Sequence, residues 1–180
     1  MEISLLRHGR PAIDWAQWLV PCQLAAWMTA YERAEVSDLP PPGLVELARQ
    51  RRVVGSDLPR AIQSMELLGV LNVALIDPLL REAELPALSW RYPAIRAGIL
   101  APAARLLWIC GYARGCESYS SVRAKARSTA HRLAAMAADG PPVLVVGHGM
   151  MNLMIGLALS REGWRRTEGS RIQGFWELTS

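Results

Sequence analysis

The chain has 180 residues and a mass of 19.8 kDa, the length of one ordinary domain rather than two. Hydrophobic residues make up 51% and charged residues 20%, which excludes global disorder and fibrous architectures and allows one continuous core. The formal net charge is +4, and nineteen of the twenty basic residues are Arg, with Lys125 the exception.

Guanidinium groups grip phosphate and carboxylate with two prongs, so an Arg surplus can serve anionic ligands. Here the arginines are scattered among sixteen Asp and Glu. The densest runs, Arg49, Arg51, Arg52 and Arg165, Arg166, lack interleaved aromatics or a recognition motif, so nucleic acid is not an expected partner. Base composition accounts for most of the bias. Glu2 opens the chain without a basic leader, and the apolar stretch Leu67 to Leu80 is interrupted by Asn72 and Asp77. Neither a signal peptide, a bilayer span nor a membrane partner is expected. Cys22, Cys110 and Cys116 are an odd set without metal-ligand spacing, which suits reduced thiols, no metal site and a cytoplasmic location.

Residues 2 to 6 form a short apolar strand that stops at Arg7-His8-Gly9. Pro21 to Ala34 carries helical spacing in Leu24, Trp27, Met28 and Tyr31. Past the breaker Pro40-Pro41-Pro42-Gly43, Leu44 opens a second helix that ends near Arg52. Val53 and Val54 form a strand ending at Gly55-Ser56-Asp57, and Pro59 suits the first turn of a helix from Leu58 to about Val70. Leu75 to Arg81 is extended, a helix is expected from Pro102 to Cys110, and the longest helix runs from Ser118 to Asp139. Val143 to Val146 is a strand leading through Gly147-His148-Gly149 into a helix to Leu159, and Ile172 to Leu178 is a candidate final strand. The alternation predicts a single α/β domain, a three-layer sandwich with a mostly parallel central sheet and helices on both faces.

Three strands thus end in polar clusters: Arg7-His8-Gly9, Ser56-Asp57 with Arg60 on the next helix, and Gly147-His148-Gly149. In open α/β sheets the ligand crevice lies beyond the carboxyl ends of the strands, where these clusters would converge on an anion. Gly149 and Met150 begin a helix whose free N–H groups would add to that site.

On these motifs the sequence resembles the histidine phosphatase superfamily, the phosphoglycerate mutase-like proteins. Arg7-His8-Gly9 matches the family's first signature, Ser56-Asp57-Leu58-Pro59-Arg60-Ala61 its second, and Val143 to Gly149 its third. The resemblance implies His8 as a nucleophile that carries a phosphohistidine, with Arg7, Arg60 and His148 holding the phosphoryl oxygens. It implies no metal and no other cofactor. Leu80-Arg81-Glu82 matches the segment that supplies the family's acid, which makes Glu82 the proton donor, although the spacing alone does not separate it from Glu84.

The sequence also departs from the family. Arg10-Pro11-Ala12-Ile13-Asp14 follows the first signature, placing Asp14 where relatives carry Asn and Arg10 at the site mouth; both, with Gly9, Ser56, Gly149 and Met150, are candidate substrate contacts. Recognition of the leaving group is expected in a lid at about 87–117, which holds Trp90, Tyr92, Trp108 and Tyr112 with Arg91, Arg96, Arg105 and Arg114. Trp108 and its apolar neighbours, like Met150, Met151 and Met154, read equally as core. The expected activity is hydrolysis of a small phosphate monoester. The alternatives are a mutase-type phosphotransferase and a phosphate-binding regulatory module without turnover. The substrate's identity and a homodimer are left open.

Overall fold

The structure, a computed structural model, describes residues 1–166, Phe175, and Leu178–Thr179. In chain order its elements are β1 (Ile3–Arg7), β2 (Trp18–Leu19), α1 (Leu24–Arg33), α2 (Pro42–Arg49), β3 (Arg52–Gly55), α3 (Pro59–Leu67), β4 (Leu75–Ile76), β5 (Ile95–Arg96), α4 (Ala97–Ile109), α5 (Tyr119–Ala138), β6 (Val143–Gly147), α6 (Gly149–Arg161) and β7 (Leu178–Thr179). The main sheet has the order β4-β3-β6-β1-β7. All neighbours are parallel except β7, which runs antiparallel to β1 at Leu5 and Leu6. Of the candidate strand Ile172 to Leu178, residues 172–174, 176 and 177 lie outside the described residues.

Side chains alternate across a strand, and the central strands use both faces. Val143 and Val145 of β6, with Ile3 and Leu5 of β1, pack under α5 and α6 against Leu133, Ile155 and Leu159. Leu144 and Val146, with Leu6 and Val53, face Leu44, Ala48, Met65 and Leu68 around α2 and α3. Each large side chain so buried stabilises the fold by roughly 1.5–3 kcal/mol. A third cluster joins α1 to α4 through Leu24, Trp27, Tyr31, Leu100 and Ala104. The three-layer, mostly parallel architecture expected from the alternation is the one observed.

The register places the motifs side by side. Arg7 of β1 is level with Gly147 of β6, and Gly55 of β3 with Val146. The ladder continues one rung further on both sides: His8 N–H donates to Gly147 O (3.0 Å) and Ser56 N–H to Val146 O (3.0 Å). His8, Ser56 and His148 therefore leave three adjacent strands at one edge of the sheet.

Local structure departs from the sequence reading at α4. Pro102, read as the start of that helix, sits inside it, and the helix begins five residues earlier at Ala97. The lost N–H is tolerated because Ala97, Leu100, Ala101, Ala104 and Trp108 bury the inner face. The short ladder between β2 and β5, which pairs Trp18 with Arg96, carries too few residues for a periodic signal.

Candidate active site

His8 is 1% exposed and held at both ring nitrogens. Its Nδ1 lies 2.7 Å from Gly9 O, and Arg60 Nε–H donates to its Nε2 at 3.1 Å. A carbonyl accepts only from an N–H, so the proton sits on Nδ1 and the Nε2 lone pair faces the guanidinium. Burial first, and the Arg60 charge second, lower the His8 pKa to about 3, so the ring is neutral at neutral pH.

His148 lies 5.1 Å from His8 between ring centroids and is fully buried. Its Nε2 is 2.9 Å from Ser56 Oγ, which also accepts Leu58 N–H at 3.3 Å. With Ser56 Oγ–H donating to Nε2 the imidazole proton sits on Nδ1; with Nε2–H donating to Oγ, which can accept it beside Leu58 N–H, Nδ1 is an acceptor. Burial, followed by the Arg60, His8 and Arg7 charges, holds this ring well below the ordinary His value. Two buried guanidinium donors beside the pair, Arg7 Nε and Arg60 Nη1, and the imidazole nitrogen His148 Nδ1 have no hydrogen-bond partner among the described residues. A cluster of buried, unpartnered donors is costly unless an acceptor meets it, and the acceptor that suits two guanidiniums and an imidazole is an anion.

Several groups that frame the site give no local motif in the sequence. Ser64 Oγ accepts Gly9 N–H at 2.9 Å and donates to Arg60 O at 2.7 Å, which ties the chain after β1 to α3. Only its place one turn after Arg60 hints at the role. The Arg60 guanidinium carbon sits 4.9 Å over the Tyr31 ring, and Tyr31 meets His8 edge-on at 6.5 Å. Burial pushes the Tyr31 hydroxyl up from its ordinary value. Phe175 packs 5.8 Å from the His8 ring, with Arg7 4.3 Å and Arg10 5.7 Å over its face. Gly9 is buried with His8, whereas Arg10 is exposed. Asp14 is also exposed, and its Oδ1 accepts Ala16 N–H at 2.8 Å within its own turn.

The structure separates the two acidic candidates. Arg81 holds Asp57 through two hydrogen bonds of 2.7 and 2.5 Å, and Arg105 donates to Ala83 O (2.5 Å) and Glu84 O (3.1 Å). With its neighbours pinned, Glu82 turns its carboxylate to the start of α6. Its Oε2 accepts Met150 N–H (3.2 Å) and its Oε1 accepts Met151 N–H (3.1 Å) and Ala83 N–H (3.0 Å). Glu84 is exposed. One sequence reading is thereby corrected. The Met150 N–H is not free for a substrate anion, because Glu82 occupies it. In the lid segment Arg105 anchors the chain after Glu82, and Trp108 takes the core place that the sequence allowed, 0% exposed with its Nε1–H on Glu117 O at 2.7 Å.

A cavity of about 450 Å³ runs along the seam of β1 and α6, and among the described residues its lining includes Arg7, Gly149 and Met150 but neither His8 nor His148.

Residues 23–173 match the family described as the histidine phosphatase superfamily (branch 1). The chain belongs to that superfamily. The matched span holds the second and third motifs, and Arg7-His8-Gly9 precedes it in sequence but joins it in the sheet. Among solved structures, the chain is similar to a mycobacterial glucosyl-3-phosphoglycerate phosphatase in complex with VO3, at 28% identity, over 88% of this chain and 81% of that one, with a TM-score of 0.57. A protein named mycobacterial hydrolase 1 is 26% identical over 88% of this chain and 78% of its own, with a TM-score of 0.56. A phosphoserine phosphatase from Entamoeba histolytica in complex with phosphoserine shares the fold at 17% identity, over 98% and 87% of the two chains, with a TM-score of 0.57. No curated protein matches the sequence significantly. Superfamily membership with phosphatase neighbours supports a phosphatase or mutase activity.

Proposed function

We propose that the chain hydrolyses a small phosphate monoester through a phosphohistidine on Nε2 of His8. The observation that supports this reading is the His8 ring itself: its Nδ1 proton is committed to Gly9 O, and its Nε2 lone pair, which accepts Arg60 Nε–H and would give up that bond on attacking phosphorus, lies beside the unpartnered Arg7 Nε and Arg60 Nη1. Nε2 attacks phosphorus, the P–N bond forms, and the ester P–O bond breaks. Charge spreads over the three equatorial oxygens, where Arg7, Arg60 and His148 Nδ1 supply preorganised donors and the neutralisation that metal ions give elsewhere.

The leaving alkoxide takes a proton from Glu82, which enters this step as the protonated acid and lies within electrostatic reach of Arg60 and Tyr31. Glu82 then accepts a proton from the water that attacks phosphorus, the P–N bond breaks, and phosphate leaves with the Nε2 lone pair restored. Among the other candidates, Ser56 acts by holding His148, Gly9 by fixing the His8 tautomer, and Gly149 by bringing His148 into α6. Arg10 lies beside Phe175 as a charge for an anionic substrate, and Asp14 is a candidate contact at the mouth. No cofactor is assigned.

The test is His8→Ala assayed on p-nitrophenyl phosphate and a panel of phosphorylated metabolites, with free and isomerised phosphate measured separately. Loss of free-phosphate release by several orders of magnitude is expected, as for removal of a nucleophile elsewhere. Wild-type turnover in the variant defeats the mechanism. Isomerised product without free phosphate assigns a mutase, and vanadate binding without turnover on any substrate assigns a binding module.

A further inference from the structure

Helix α4 is apolar on both sides. Its inner face is buried, while Ile99, Pro102, Ala103, Leu106, Ile109 and Cys110 recur along the opposite face, and all six are exposed. Ile99 is 62% and Leu106 63% exposed. No charge interrupts this stripe. A helix that is hydrophobic all round is normally covered on all sides.

The charge of the segment that carries the stripe, between Glu84 and Glu117, favours one occupant. From Leu85 to Cys116 the chain has four Arg and no Asp or Glu. Arg105 is tied to backbone carbonyls, and Arg91, Arg96 and Arg114 are exposed. Aromatic rings stand at both ends of the helix. Trp18, 62% exposed, lies under the Arg96 guanidinium at 5.5 Å just before α4, and Trp90, 49% exposed, stacks on Tyr112 at 6.5 Å just after it. A second copy of the chain, related by a twofold axis, would bring these arginines against one another with no carboxylate from the segment between them.

We propose that the outer face of α4 docks peripherally on an anionic lipid bilayer. The aliphatic stripe enters the headgroup boundary, Trp18 and Trp90 sit at its level, and Arg91, Arg96 and Arg114 meet lipid phosphates. No helix among the described residues is long and apolar enough to cross a membrane, so the contact is with the surface. It revises the expectation of no membrane partner, which was drawn from the lack of a span. Gly98 N–H of α4 donates to Trp15 O at 2.9 Å, and the Trp15 ring packs on Tyr31 and Phe175 beside His8. Trp15 thus links α4 to the ring cluster beside His8.

The experiment is co-sedimentation of the intact chain with vesicles of phosphatidylcholine alone or with one-third phosphatidylglycerol. Size-exclusion light scattering runs beside it, and circular dichroism checks each variant's fold. The wild type should sediment with the anionic vesicles only, and less as salt rises. Neutralising Arg91, Arg96 and Arg114 to Gln should weaken the partition by about fivefold each, on the order of a hundredfold together. Ile99→Asp with Leu106→Asp should weaken it by more than about tenfold. The Gln variants keep the apolar stripe and so serve as the test if the Asp pair fails to fold. No sedimentation with anionic vesicles, or sedimentation indifferent to the substitutions, overturns the proposal. A dimer that the Asp pair dissociates, without vesicle binding, gives the face to a second copy instead.

Discussion

His8 is fixed from three directions: its N–H on Gly147 O at 3.0 Å, its Nδ1 on Gly9 O at 2.7 Å, and Gly9 in turn on Ser64 Oγ at 2.9 Å. The last contact is the only one of the three made by a side chain of another element, and the same hydroxyl donates to Arg60 O at 2.7 Å. Ser64 thus couples the carbonyl that sets the His8 tautomer to the helix that carries Arg60. Ser64→Ala leaves the buried Gly9 N–H without its acceptor, a cost of about 1–3 kcal/mol. It also lets the Gly9 carbonyl drift from Nδ1. On the proposed mechanism the expected outcome is a fall in kcat on the order of tenfold with KM little changed, because misalignment of the proposed nucleophile acts on the transition state. Ser64→Thr, which keeps the hydroxyl, should recover most of the rate. Equal kcat losses in the Ala and Thr variants would show that the hydroxyl is not the positioning group.

The start of α6 joins two functions in one element, because it follows His148 and receives the Glu82 carboxylate. Charge at a helix N-terminus stabilises the helix whether or not it also moves protons, so the roles separate only by leaving group. Glu82→Gln should reduce turnover of alkyl phosphates by about 10²–10⁴, the usual worth of a general acid, and leave p-nitrophenyl phosphate far less affected because its leaving group departs without a proton. Equal losses on both substrates, with a lower Tm, would make Glu82 a cap alone. At this scale the sequence is legible where function is local. The strands ending at Arg7-His8, Gly55-Ser56 and Gly147-His148 are short apolar runs stopped by polar residues, and the structure keeps them. The Glu82 cap was not legible, because it joins residues 68 and 69 positions apart in the chain. Neither was the start of α4, where Pro102 obeys tertiary packing against its own preference.

Across the whole molecule, strand order explains why distant motifs act together. Placing β6 between β1 and β3 brings His148 between His8 and Ser56, a neighbourhood that the alternation of strands and helices implies in class but not in order. The same arrangement buries both imidazoles in the folded state only, and this couples the site to global stability. His8 has a folded pKa of about 3 against an ordinary 6.5, so between those values the unfolded chain binds a proton that the folded chain refuses. Stability from this group is therefore fully present above the unfolded value and lost as pH falls below it. From pH 7 to pH 5 the loss from His8 alone is about 2 kcal/mol, and His148, shifted in the same direction, adds to it. Urea unfolding of the wild type and of His8→Gln at the two pH values isolates the term, since glutamine does not titrate. The wild type should lose about 2 kcal/mol more than the variant over that interval. An equal loss in both would mean that His8 takes up its proton in the folded chain, and the neutral Nε2 that the proposed attack requires would then be absent at pH 5.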